Sequence, residues 1–87
     1  LKEYKIIIEK KVEKQILELD NKVSKKVVEA IEKLKIEPRP GGNIKLQVFD
    51  GYRIRVGNIR ILYTISDLNY VVTIYKESKR SEAYSRN

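Results

Sequence analysis

Gly51-Tyr52-Arg53-Ile54-Arg55-Val56-Gly57-Asn58-Ile59-Arg60-Ile61-Leu62-Tyr63-Thr64-Ile65 is the stretch whose period decides the fold. Tyr52, Ile54 and Val56 alternate with Arg53 and Arg55, and Gly57-Asn58 has the composition of a two-residue hairpin turn. Such a loop pairs Val56 with Ile59, Arg55 with Arg60, Ile54 with Ile61 and Arg53 with Leu62. Two faces follow from this register. Tyr52, Ile54, Val56, Ile59, Ile61, Tyr63 and Ile65 share one, which needs a cover. Arg53, Arg55 and Arg60 share the other, with Arg55 directly opposite Arg60.

Working outward, Asp67-Leu68-Asn69 reads as the next turn and Tyr70 to Tyr75 as a further, more apolar strand nearer the sheet centre. From Lys76 to Asn87 the chain is polar, with a brief helix as the expected local structure. Upstream, Ile44-Lys45-Leu46 is a short strand, and Glu37 to Asn43, with both prolines of the chain, is a loop. Val12, Ile16, Leu19 and Val23 recur at helical steps, which predicts a helix ending near Asp20-Asn21. Ser24 is the expected cap of a second helix, whose stripe is Val27, Ile31 and Leu34 with Val28 and Ala30. Tyr4 to Ile8 is a leading strand. The expected fold is therefore α+β in one domain over residues 1–87: an N-terminal strand, an αα-hairpin, then an antiparallel meander packed on the helices.

Composition limits the chemistry. With 87 residues there is room for one modest core, and without Cys or His there is no thiolate, no disulfide and no imidazole to act as base or metal ligand. No apolar run approaches bilayer length and the first residues lack a signal-peptide core, so a soluble, cytoplasmic protein is expected. The formal charge of +7 points to a polyanionic partner. Residues 1–43 hold 11 Lys/Arg against 8 Asp/Glu, a net of +3, whereas residues 44–87 hold 8 against 4, a net of +4 from half as many acids. Mixed charges on the helices read as solvated faces. Three arginines with no acid between Tyr52 and Arg60 could also be decoration on an exposed sheet. The like-charged pair, however, favours an anion site, since guanidinium forks match phosphate oxygens and keep their charge at any physiological pH. Lys45, Lys76 and Lys79 are further candidates for RNA contact, and Tyr84, four residues after Arg80, could stack on a base.

The run from Leu46 to Ile65, followed by Lys79-Arg80-Ser81-Glu82-Ala83-Tyr84, resembles the RelE/ParE superfamily of toxins, and within it the RelE branch. The resemblance spans nearly the whole chain. It implies the toxin of a type II toxin–antitoxin pair that enters the ribosomal A site and cuts mRNA without metal or other cofactor, the ribose 2′-hydroxyl attacking the adjacent phosphate. On the family's pattern, Arg53 and Arg55 take the basic positions of one strand, Arg60 is a phosphate clamp, Arg80 stabilises charge at the leaving group, and Tyr84 stacks on or orients the nucleotide. Where relatives carry lysine as a base and histidine near the end, this chain has Arg55 and Lys79. Lys79 and Tyr84 are the remaining candidates for proton transfer. The implied partners are the ribosome with its mRNA and an acidic, RelB-like antitoxin that covers the basic face. The same superfamily implies two alternatives, a ParE-like poison of DNA gyrase and a non-catalytic RNA-binding relative.

Overall fold

The computed structural model describes residues 2–46 and 51–79. Strands β1 (Lys5–Ile8), β2 (Ile44–Lys45), β3 (Gly51–Val56), β4 (Ile59–Ser66) and β5 (Val71–Lys79) form one sheet in the order β1-β5-β4-β3-β2. All neighbours are antiparallel except β1 and β5. Between β1 and β2 the chain crosses from one sheet edge to the other through helices α1 (Lys10–Leu17) and α2 (Asn21–Lys33), which therefore cover a single face. The fold is the expected α+β arrangement.

Burial follows the alternation. Val12, Ile16, Val27, Ile31 and Leu34 of the helical layer meet Ile54, Ile59, Ile61, Tyr63, Val72 and Ile74 of the sheet. The β3–β4 register matches the sequence expectation pair for pair, with Arg55 opposite Arg60. Gly57 sits at φ 60° while Asn58 keeps a negative φ, so the turn is of the kind that needs glycine at its first central position and matches the twist of the strands.

Several boundaries differ from the sequence reading. The second helix starts at Asn21, because the Asp20 carboxylate accepts the backbone N–H of Lys22 at 3.2 Å and captures the cap before Ser24. Val23 consequently belongs to α2, not to the end of α1. The last strand continues four residues past Tyr75, so Lys76 to Lys79 extend the sheet instead of opening a tail. Within it the register slips: Leu62 pairs with Lys76 but Tyr63 with Ile74, leaving Tyr75 as one extra residue in a β-bulge. Apolar alternation does not announce such an insertion, because strand pairing decides it.

Candidate nucleic-acid interface

The face of the sheet away from the helices carries Arg53 and Arg55 from β3 and Arg60 from β4. The bulge decides what β5 adds. Counting forward from Thr73, strict alternation would turn Glu77 and Lys79 to this face. With Tyr75 inserted, Lys76 stands opposite Leu62 and Ser78 opposite Arg60, while Glu77 pairs with Ile61 on the helix side and is 7% exposed. One inserted residue thus takes the Glu77 carboxylate off the arginine face and puts the Lys76 ammonium there in place of that of Lys79. The sheet brings together four of the expected RNA-contacting side chains, Arg53, Arg55, Arg60 and Lys76.

The other candidates lie elsewhere. Lys45 pairs with Tyr52, and Lys79 with Ile59, so both belong to the helix side; Lys79 borders a groove near the α1–α2 junction with Leu19, Val23 and Val56. Lys79 does not join the arginine cluster, because the bulge reverses its side. Arg80 and Tyr84 lie outside the described residues.

Electrostatics separates these arginines from Arg39. The Arg39 guanidinium grips Asp67 through two bonds, Nη2 at 2.8 Å and Nη1 at 3.2 Å, and its Nε donates to the Tyr52 hydroxyl at 3.1 Å. Among the described residues, Arg53, Arg55 and Arg60 have no carboxylate within ion-pair distance. Arg60 is half-buried, and its Nε is shielded from solvent without a hydrogen-bond partner. A buried donor left unmade costs free energy. Among the described residues the cluster thus combines fixed positive charge with no internal counter-ion, which suits an external phosphate oxygen.

Sequence reasoning missed the clasp that fixes the opposite end of the sheet. Asp67 also accepts the Tyr4 hydroxyl at 2.6 Å, and Arg39 lies 5.1 Å over the Tyr52 ring, which in turn stacks on Tyr63 at 5.9 Å. The fully buried Tyr63 donates its hydroxyl to the Pro38 carbonyl at 2.8 Å. Burial pushes the Tyr63 hydroxyl up to about 12, and the bonds from Arg39 and then Tyr4 hold Asp67 below the usual carboxylate range. Only the turn composition around Asp67 and the Pro38-Arg39-Pro40 loop hinted that these segments were special.

The molecule is thus a two-layer α+β domain whose outer sheet face carries Arg53, Arg55, Arg60 and Lys76. The sequence model of the family described as ParE toxin of type II toxin-antitoxin system, parDE, matches residues 6–84, and the chain belongs to this family. A protein of Methanocaldococcus jannaschii that carries the name toxin RelE1 is 32% identical over 85 residues, covering 93% of this chain and 94% of that protein. Among solved structures, RelE in the archaeal RelE–RelB complex of Pyrococcus horikoshii superimposes with a TM-score of 0.81 at 30% identity, covering 88% of this chain and 94% of that one. A free-state variant of the E. coli toxin RelE gives 0.75 at 25% identity, with coverages of 95% and 92%. The protein is a RelE-like toxin of a type II toxin–antitoxin system.

Proposed function

We propose that this toxin is a ribosome-dependent endoribonuclease that cuts mRNA by attack of a ribose 2′-hydroxyl on the adjacent phosphate. The observation that carries the reading is the arginine face: Arg53, Arg55 and Arg60, with no carboxylate partner among the described residues and flanked by Lys76, match the charge that develops on a pentacovalent phosphate. Arg60 clamps the phosphate through the guanidinium of its half-buried side chain, and Arg53 and Arg55 spread the remaining positive charge along the strand. Arg80 supports the leaving oxygen and Tyr84 orients the nucleotide. Arginine is too weak an acid to exchange protons readily at neutral pH, so the arginines act by stabilising charge, and alignment of the attacking hydroxyl on the ribosome supplies much of the remaining rate. An acidic, RelB-like antitoxin is the proposed counterpart, and the RelB complex of the Pyrococcus relative supports it.

Primer extension on mRNA from cells expressing the protein tests this reading. Codon-positioned cuts are expected, fading 10²-fold or more with Arg60→Ala, in the range of losing one transition-state donor. Intact message during growth arrest overturns it. The match to a ParE family model favours one second reading, a poison of DNA gyrase. Inhibition of supercoiling by purified toxin, insensitive to Arg60→Ala, would select it.

A further inference from the structure

The arginine face does not account for every uncompensated cation. Strand β2 covers β3 only at Tyr52 and Arg53, and Leu46 donates to the Gly51 carbonyl at 2.8 Å. Before β2 the chain turns away: Asn43 donates to the Pro40 carbonyl at 3.0 Å and Gly42 adopts φ 90°. Among the described residues, the edge of β3 from Ile54 onward therefore has no neighbouring strand. Backbone groups alternate along a strand, and Gly51 turns its carbonyl toward β2, so Arg53 and Arg55 turn their backbone groups the same way. Arg53 meets Ile44; the Arg55 N–H and C=O face a notch of about 370 Å³.

Helix α2 forms the opposite wall with Lys26, Glu29 and Lys33, and Gly41-Gly42 closes one side, where an added Cβ would meet nothing within 4 Å. Lys26 and Lys33, seven residues apart, are two helical turns apart on one stripe. Neither they nor Arg55 has an ion pair among the described residues, although Glu29 lies between the two lysines. Among the described residues, two lysines and one outward backbone N–H thus border a gap that holds a single carboxylate.

We propose that this notch between α2 and the open edge of β3 is a second phosphate-binding point, taking the RNA backbone where it leaves the arginine face. Arg55 belongs to both places, its residue lying on the outer face and its backbone opening to the edge, so one strand can pass from one to the other. The inference rests on the RNA-directed reading above. A peptide strand is the poorer occupant, since among the described residues of this edge Arg55 alone presents an open N–H and C=O pair and strand addition draws its affinity from a run of such pairs. A phosphate needs only one N–H and the surrounding charge.

The test is salt-dependent binding of the full chain to a labelled single-stranded RNA whose 2′-hydroxyls are methylated, so that it cannot be cut. Each lost phosphate contact lowers the slope of log K against log salt by about 0.7 for a single strand. The double variant Lys26→Ala/Lys33→Ala should lower it by about 0.7, whereas Lys10→Ala/Lys11→Ala, the same charge change on α1, should leave it close to wild type. Glu29→Gln should tighten binding. An unchanged slope in the α2 variant, or an equal fall in the α1 control, overturns the notch. Loss of slope in a protein that never cuts mRNA upholds the notch and sinks the nuclease reading; cutting with an unchanged slope does the reverse.

Discussion

Replacing Arg55 by Glu should raise the stability of the fold while impairing its action on RNA. Arg55 stands opposite Arg60, in a pair flanked by Val56–Ile59 at the turn. In a two-residue hairpin the pair next to the turn exchanges backbone hydrogen bonds, so Arg55 and Arg60 form the non-bonded pair, whose Cα atoms approach to about 4.5 Å. Directly opposed like charges destabilise, and opposite charges stabilise, by roughly 0.2–1 kcal/mol each. Because Arg55 is exposed, screening reduces the total gain for Arg55→Glu to about 0.5–1 kcal/mol. In a domain of this size that raises Tm by about 2–8 °C. Arg55→Gln, which removes the repulsion without supplying attraction, should recover about half of the gain. Thermal melts at low salt and at 1 M NaCl are the assay; with the Debye length cut to about 3 Å, most of the difference should vanish. A Tm at or below wild type for Arg55→Glu at low salt, or a gain that survives high salt undiminished, would refute the reasoning. It would mean that the arginines are not held against a stability cost.

Tyr63→Phe removes the bond to the Pro38 carbonyl and leaves that buried acceptor unmet, so urea titration should show a loss of about 1–3 kcal/mol with an unchanged m-value. Asp67 titrates below its unfolded value of about 3.9, so its contribution is present above that pH and is lost as pH falls through the lowered folded pKa. Asp67→Asn should accordingly flatten the acid limb of a stability-against-pH curve, and an identical limb would count against the clasp. Asp20→Ala should cost about 1 kcal/mol in chemical denaturation, against a far smaller change for Ser24→Ala.

Legibility in the sequence tracked the range of the interaction that decides each feature. The β3–β4 hairpin could be read to the residue because Gly57-Asn58 fixes its register locally and a slip by one would turn every isoleucine outward. The two apolar stripes of the helices were equally plain. The start of α2 was not, since Asp20 and Ser24 are both competent caps and the length of the turn after α1 selects between them. Arg53, Arg55 and Arg60 were identified as one face from alternation alone, and they share it in the fold. Lys76 and Lys79 could not be sorted in the same way.

By itself, then, the sequence determined a basic α+β domain with a helix-covered sheet and an arginine-bearing outer face, because alternation and turn chemistry act over a few residues. Tertiary structure alone decided two things. The bulge at Tyr75 appears only when β5 is paired with β4, and that pairing places Lys76 beside the arginines and hides Glu77. The clasp joins Tyr4, Arg39, Tyr52 and Asp67, partners up to 63 positions apart. No local pattern encodes such contacts. They exist because packing the helices on one face brings distant chain segments together at the end of the sheet, where Arg39 finds its counter-charge, which among the described residues the outer arginines do not.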